Sequence, residues 1–172
     1  QMDALIRDLL DVNRLDVGKL MVSPVPVEPS ALLTDSLQTL RPLVDEKDIS
    51  LDLRIETDLP RVMADPARIP QTLSNLVGTA IKFSAGGSKI VVIAKRDTEG
   101  AVFSVVDHGK GIAAPQLPRV FDRYWQSSRT DRQGAGLGLA IAKGIIEAHG
   151  GKIWIEGSPG KGTTASFTRP WA

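Results

Sequence analysis

The sequence predicts an α/β sandwich, with a mixed, mainly antiparallel sheet and helices packed on one face. Segments with helical spacing of apolar residues alternate with short strand-like segments. Residues 90–106 and 153–167 each resemble a hairpin, which a doubly wound parallel sheet would not contain. With 172 residues, 42% of them hydrophobic and 24% charged, the chain is large enough for a core of its own.

The first part of the chain predicts two helices and two strands. Residues 2–15 carry an apolar stripe that suits either the domain's own core or a seam with another helix, and it ends near Gly18. Pro24 and Pro26 restrict the next segment to an edge strand or a linker. Ser30 is the expected N-cap of a helix reaching Leu40, and residues 49–56 alternate as a half-buried strand does.

The middle of the chain predicts a helix followed by a hairpin. Asp65 is the expected N-cap and Pro66 the first helical residue. On that count Pro70 lies near the end of the first turn, so we expect a distorted start. Gly86 and Gly87 end the segment, and residues 90–94 and 101–106 form the expected hairpin.

The last part predicts a long loop, a helix and a second hairpin. Residues 109–133 are interrupted by Pro115 and Pro118 and hold at most a short helix. Residues 137–148 are the next predicted helix. Strands follow at 153–156 and 163–167, joined by a turn at Pro159-Gly160.

Composition limits the classes of function. Lys and Arg number 21 against 20 Asp and Glu, so the chain lacks the basic excess typical of nucleic-acid binders. It has no cysteine, which excludes disulfides and thiolate chemistry. No 18-residue apolar window and no basic signal region occur. We expect a cytoplasmic location, with no contact to nucleic acid or membrane.

The second half of the chain carries the glycine-rich candidates for function. Eleven of the 16 glycines lie between Gly109 and Gly162, which implies backbone that turns tightly or approaches a ligand. Residues 134–139 run directly into a helix, where free N–H groups bind anions, although on its own the segment could equally be a hinge. Asp107 ends a strand beside Gly109 and Gly111; as an acceptor it suits the adenine amine and would reject guanine.

Asn75, Thr79 and Lys82 lie at i, i+4 and i+7 and therefore share one face of a helix. A lysine for phosphate and two oxygen-bearing side chains for Mg²⁺ would form a sensible group. From the spacing alone, an ordinary solvated face is favoured.

Taken together, five motifs in order resemble the ATP-binding catalytic domain of sensor histidine kinases, within the ATPase superfamily that includes Hsp90, MutL and gyrase B. In this chain, residues 75–84 correspond to the N box, 107–112 to the first glycine box and 121–124 to the F box. Residues 134–139 correspond to the second glycine box and 160–163 to the third. The F box, together with residues 148–151, favours histidine kinases over the other branches.

The resemblance implies that ATP and Mg²⁺ are the cofactors. It implies that Asp107 accepts from the adenine amine with help from Thr163 through a water, and that residues 113–133 form an ATP lid. The other implied nucleotide-binding residues are Asn75, Thr79, Lys82, Phe83, Gly109, Gly111, Ile112, Arg123, Gly134, Gly136, Leu137, Gly138 and Leu139. Of these, Asn75, Lys82 and Arg123 would be catalytic, and Asn75 and Thr79 would be metal ligands.

The resemblance also divides the chain and implies its partners. Residues 1–20 resemble the end of the second helix of a dimerisation hairpin, and residues 21–172 the catalytic domain. The implied reaction transfers the ATP γ-phosphoryl to a histidine of that hairpin, in its own dimer, for relay to the receiver domain of a response regulator. His108 and His149 are more simply a loop residue and a helix cap than phosphoacceptors.

One departure from the family keeps alternatives open. The family usually has a Mg²⁺-ligating asparagine where this chain has Thr79, and a hydroxyl is a shorter and weaker acceptor. A nucleotide-binding or phosphatase-biased signalling module with weak kinase activity is therefore an alternative. A third candidate, an anti-sigma-type serine kinase, is opposed by the helix at residues 2–20, which that branch lacks.

Overall fold

The computed structural model describes residues 2–126 and 136–172. Its α-helices, one 3₁₀ helix and its strands include every predicted element, together with a helix at 41–46 and a strand at 62–64 that the sequence pattern did not predict. The helices are α1 (Met2–Asp16), α2 (Pro29–Gln38), α3 (Arg41–Glu46), α4 (Arg68–Phe83), the 3₁₀ helix (Ala114–Arg119) and α5 (Gly138–Ala148). The strands are β1 (Val25–Val27), β2 (Ser50–Ile55), β3 (Val62–Ala64), β4 (Lys89–Arg96), β5 (Gly100–Asp107), β6 (Ile153–Gly157) and β7 (Thr163–Pro170).

The main sheet has five strands in the order β2-β4-β5-β7-β6. β2 runs parallel to β4, and the β4–β5, β5–β7 and β6–β7 pairs are antiparallel. The two predicted hairpins are β4–β5 and β6–β7. β1 and β3 form a separate antiparallel pair, so residues 25–27 are a strand rather than a linker. The predicted mixed, mainly antiparallel sheet is confirmed.

One face of strand β5 belongs to the main core. Ala101, Phe103 and Val105 are almost fully buried in the main core, and Phe103 stacks on its cross-strand partner Phe167 at a ring-centroid distance of 5.1 Å. Because side chains two residues apart share a face, Asp107 continues this inward series at the strand's end. A carboxylate is thereby placed at the edge of the apolar core.

Helices α2, α4 and α5 cover the sheet, and α1 packs on α5. Val12 belongs to a small apolar cluster with Ile141 and Ile145 of α5. Leu15 lies so close to Gly144 that a side chain at position 144 would overlap it. Part of the apolar stripe of α1 is thus buried against α5, although Met2, Leu5 and Leu9 remain exposed.

Two predicted helix starts are wrong by two residues each. α2 begins at Pro29 with Glu28 as the N-cap, so Ser30 lies inside the first turn. α4 begins at Arg68, after a turn in which the Asp65 carboxylate accepts from the backbone N–H of Ala67 (2.8 Å). Pro70 therefore falls within the first turn of α4, where a missing N–H costs no helical hydrogen bond.

A buried polar network ties α5 to β7 and β3. Arg169 is 1% exposed; its Nε donates to the Met63 carbonyl (2.8 Å) and both terminal nitrogens donate to the His149 carbonyl. His149 Nε2 accepts from the Asp65 N–H (3.0 Å) while Nδ1 lies 2.8 Å from the Ile145 carbonyl. This pattern requires a neutral imidazole with its proton on Nδ1.

We expect this network to make stability depend on pH. Burial and the neighbouring Arg169 lower the pKa of His149, against opposing contributions from Ile145 and Asp65. The unfolded chain therefore takes up this proton first, at about pH 6.5. The contribution of His149 to the free energy of unfolding should be complete above that pH. It should fall as the pH drops toward the folded-state pKa, by up to about 1.4 kcal/mol per pH unit.

Urea unfolding of the wild type, His149→Gln and His108→Gln between pH 5 and 8 measures this effect. The His149→Gln variant should lose the pH-dependent component, and the His108→Gln variant should keep it. Equal pH slopes in the wild type and His149→Gln would contradict the assignment.

Candidate functional site

Asp107 forms one end of a cleft between α4 and the sheet. Its side chain is 5% exposed, and its Oδ1 accepts from the backbone N–H of Gly109 at 2.9 Å. Burial raises the pKa of the carboxyl, while backbone donors at Gly109 and Thr163 oppose that rise. Backbone donors therefore hold the carboxylate in place, and because each carboxylate oxygen has two lone pairs, it can still accept from a ligand.

The residues around Asp107 were predicted from the glycine boxes. A side chain at Gly109 would overlap the Phe83 carbonyl, and one at Gly111 would overlap the Ser158 carbonyl. Ile112 and Thr163 line the space beside the carboxylate. The close approach of these backbones explains why glycine is needed in the turn.

The cavity at Asp107 is narrow, with a volume of about 20 Å³. Leu76, Ala80, Phe83 and Leu139 form much of its apolar wall. A space of this size holds about one water molecule. A purine would enter only if this wall moved outward.

A second cavity of about 240 Å³ adjoins the first. Asn75, Thr79, Lys82 and Phe83 of α4 line one side, with Gly136, Leu137, Gly138 and Leu139 opposite. Thr79, Phe83 and Leu139 border both cavities. Because α5 begins at Gly138, its first N–H groups lack intrahelical partners and favour an anion here.

Asn75 and Thr79 occupy adjacent turns of α4. Asn75 Nδ2 is buried and makes no hydrogen bond, and the Asn75 side chain lies close to Gly138. Thr79 Oγ1 donates to the Asn75 backbone carbonyl at 2.9 Å. The Thr79 proton is therefore committed to the helix, and only its oxygen lone pairs can serve a ligand.

The end of α4 positions Lys82 and Phe83. Lys47 Nζ donates to the Ile81 carbonyl (2.7 Å) and the Lys82 carbonyl (3.4 Å), and so caps the last turn. Lys110 Nζ lies 4.9 Å from the Phe83 ring centroid and Lys82 Nζ 5.6 Å from it. The sequence gives no local signal for Lys47, because its partners are more than 30 residues away.

Arg123 is the predicted site residue that the structure does not bring to the cleft. It lines neither cavity, and its guanidinium pairs with Asp16 of α1. The backbone N–H of Tyr124 donates to the Gly136 carbonyl at 2.9 Å. This hydrogen bond connects the two described segments on either side of residues 127–135. Gly134 and residues 127–133 of the predicted lid lie outside the described residues.

Trp125 packs against Phe83 over the second cavity, with ring centroids 6.5 Å apart and a tilt of 53°. Because Phe83 also borders the narrow cavity, a purine there must move these rings. We expect ATP to change the tryptophan fluorescence, with most of the change coming from Trp125. The change should vanish in Trp125→Phe and persist in Trp154→Phe and Trp171→Phe; a full signal from Trp125→Phe would contradict this arrangement.

This geometry defines a class of protein. A mixed sheet covered on one face by helices, with an acidic strand end and a glycine-led helix facing one cleft, is the architecture of an ATP-binding ATPase domain. The family model for histidine kinase-, DNA gyrase B-, and HSP90-like ATPases matches residues 64–172. The chain belongs to this family, and the predicted family is confirmed.

Relatives narrow the likeness to sensor kinases. The chain is 36% identical over 170 residues to the adaptive-response sensory kinase SasA of Nostoc sp., covering 98% of this chain and 42% of that protein. It is 34% identical over 158 residues to the alginate biosynthesis sensor protein KinB of Pseudomonas aeruginosa, covering 92% of this chain and 26% of KinB. It therefore spans less than half the length of these relatives.

A solved structure agrees with these relatives. Full-length ShkA in complex with AMPPNP matches with a TM-score of 0.88 at 34% identity, over 98% of this chain and 35% of ShkA. The domain is thus of the catalytic ATPase type found in histidine kinases. Within residues 2–126 and 136–172, no helix has the length and apolar character needed to cross a bilayer.

Proposed function

We propose that the cleft binds ATP with the adenine at Asp107 and the phosphates at the N-terminus of α5. The proposal depends chiefly on the observation that Thr79, Phe83 and Leu139 line both cavities, which places the two cavities side by side. An acceptor at one end and an unpaired helix N-terminus at the other match the two ends of an adenine nucleotide. The complex of the similar protein ShkA with AMPPNP supports nucleotide binding by a domain of this type.

In this proposal each predicted residue has a distinct task. Asp107 orients the base, and the close backbone approach at Gly109 and Gly111 shapes its pocket. Lys82 balances phosphate charge, and the N–H groups from Gly138 onward bind phosphate oxygens. Gly136, Leu137 and Ile112 complete the surroundings of the nucleotide. The role of Gly134, which lies outside the described residues, stays a prediction from the resemblance.

Asn75 and Thr79 fit a divalent cation. The buried Asn75 amide lies against the start of α5 without a hydrogen-bond partner for its nitrogen, so its orientation is free to be set by a ligand. Mg²⁺ takes few protein oxygens and completes its shell with phosphate oxygens and water. Asn75, with Thr79 as a weaker second donor, would hold it, and it would offset charge on the transferring phosphoryl group.

We further propose that this chain is the catalytic part of a cytoplasmic sensor histidine kinase. Residues 21–172 would deliver the γ-phosphoryl of ATP to a histidine on a hairpin, whose second helix ends in residues 1–20. A response regulator would then take the phosphoryl group. The likeness to named sensor kinases over almost the whole chain supports this reaction.

A second candidate is a nucleotide-binding signalling module with weak kinase activity. The presence of Thr79 where the family usually has asparagine favours it, because a hydroxyl is a shorter and weaker acceptor than an amide oxygen. Metal-dependent transfer would then be slow, while adenine binding would be kept.

Phosphoryl transfer to a histidine-bearing hairpin supplied in trans separates the two candidates. We expect Mg²⁺-dependent transfer by the natural sequence, with a rate within about tenfold of the rate of Thr79→Asn. A tenfold difference in rate corresponds to about 1.4 kcal/mol in the activation free energy. A natural rate near background that Thr79→Asn restores would favour the second candidate. Lack of ATP binding by calorimetry in both proteins would overturn the proposed function itself.

A further inference from the structure

Helix α1 brings a carboxylate to the second cavity, which Asp107 does not line. Asp8 borders this 240 Å³ cavity together with the start of α5. With Ser74 and Asn75 it also borders a further cleft of about 600 Å³ between α1 and α4. Thr79, Phe83 and Leu139 line both the 240 Å³ cavity and the narrow cavity at Asp107. A nucleotide with its base at Asp107 and its phosphates at the N-terminus of α5 would therefore place its terminal phosphate in the cavity that Asp8 lines.

The position of Asp8 is fixed by the helix that carries it. One turn further on, Asp11 is 4% exposed and both its carboxylate oxygens lie 3.1 Å from Arg68 Nη1. Gln71 Nε2 also donates to Asp11 Oδ2 at 2.7 Å. The packing of Val12 and Leu15 on α5 adds an apolar anchor. Asp8 is thus presented to the cavity by a docked helix.

A second carboxylate of α1 holds a cation away from the cleft. Asp16 pairs with Arg123, the residue that the resemblance assigns to phosphate. While this pair exists, the guanidinium is directed to the helix and not to a phosphate. Both carboxylates therefore make the cleft less favourable for phosphate. Asp8 adds negative charge near the phosphates, and Asp16 keeps the positive charge of Arg123 away from them.

We propose that Asp8 and Asp16 are specificity-determining residues that disfavour triphosphate relative to diphosphate while α1 is docked. The proposal rests on the proposed ATP site. Charge repulsion across a partly solvated cavity falls with distance, so the terminal phosphate, which lies nearest Asp8, is penalised most. The docking of α1 would in this way set how readily the domain loads ATP in preference to ADP.

The pKa of the Asp8 carboxyl is linked to phosphate binding. Burial and the neighbouring Asp11 raise the pKa of the Asp8 carboxyl. A phosphate placed beside it would raise that pKa further, so an ionised Asp8 and a bound terminal phosphate oppose each other.

Calorimetric titration with ATP and ADP, in Mg²⁺ and in EDTA, tests the proposal on four proteins: the wild type, Asp8→Asn, Asp16→Asn and Asp3→Asn. Asp3 is an exposed carboxylate on the same helix that borders neither cavity, so it controls for net charge. Asp8→Asn should tighten ATP binding by about three- to tenfold and ADP binding by less than about twofold. Asp3→Asn should change neither.

Asp16→Asn should also tighten ATP binding, and this gain should disappear in the double variant Asp16→Asn/Arg123→Gln. Thermal unfolding of each variant checks that α1 stays docked. An unchanged ATP-to-ADP affinity ratio in Asp8→Asn, with normal wild-type binding, would overturn this proposal alone. Weaker Mg²⁺-ATP binding in Asp8→Asn would also overturn it and make Asp8 a metal ligand. Absence of nucleotide binding in every protein would overturn the ATP site as well.

Discussion

Replacing Asp107 with asparagine is expected to weaken ATP and ADP binding by about 1–3 kcal/mol, the cost of a mismatched buried polar group. The amide oxygen of the new side chain can still accept from the Gly109 N–H, as Asp107 Oδ1 does at 2.9 Å. The amide nitrogen then replaces the remaining acceptor and faces the adenine amine donor to donor. Titration with a fluorescent adenine nucleotide measures the loss.

Two controls separate base recognition from general damage. Asp97 is an exposed carboxylate at the other end of the β4–β5 hairpin, so Asp97→Asn should leave the affinity unchanged. Asp107→Asn should also narrow the preference for ATP over GTP, because an amide donor can meet the guanine carbonyl. Unchanged ATP affinity in a folded Asp107→Asn protein would contradict the placement of the base.

Alanine at Gly162 is expected to be the most damaging of the single glycine substitutions in the third glycine box. Gly162 has a φ of +77° and packs against the Asp107 backbone, where a Cβ would overlap the carbonyl oxygen. Gly160 has the same φ of +77° but has nothing within 4 Å of its Cβ position. The pair therefore separates backbone strain from steric overlap at one turn.

Gly160→Ala should lower the free energy of unfolding by about 1–3 kcal/mol through the left-handed backbone alone. Gly162→Ala should lose about a further 1–3 kcal/mol from overlap, and it should also weaken nucleotide binding because Asp107 must shift. Urea unfolding and nucleotide titration of the two variants give both quantities. Equal losses in the two variants would show that the contact between Gly162 and Asp107 is not a constraint.

Local patterns predicted the sheet and the turn beside Asp107 because the signals lie close together in the sequence. Strand alternation through Phe103 and Val105 leads directly to Asp107, and the glycines that shape its turn follow within four residues. The hairpins needed only alternation and nearby turn residues. The site roles that depend on bound ligand stay predictions.

The features that local patterns did not predict depend on contacts between distant parts of the chain. The Arg123–Asp16 pair spans 107 residues and the Arg68–Asp11 pair spans 57, so neither leaves a local pattern. They follow from how α1 docks, which apolar spacing alone left open between a core face and a seam. For Arg169 a signal did exist, since alternation from Phe167 places it on the inner face of β7.

The wrong helix starts have a simple physical cause. Ser30 and Asp65 both have side chains suited to capping, but each lies next to a proline, Pro29 or Pro66, whose ring fixes the backbone φ. Pro29 supplies the φ of a first helical residue, so α2 starts before Ser30. Asp65 uses its carboxylate to accept from the Ala67 and Arg68 N–H groups of the turn before α4.

A crystal structure of this chain with Mg²⁺ and a non-hydrolysable ATP analogue would show where the adenine binds relative to Asp107. We expect the adenine amine within hydrogen-bond distance of the Asp107 carboxylate, with Phe83 and Trp125 moved outward and the phosphates at the N-terminus of α5. A nucleotide bound elsewhere, with the 20 Å³ space at Asp107 still closed, would contradict this placement.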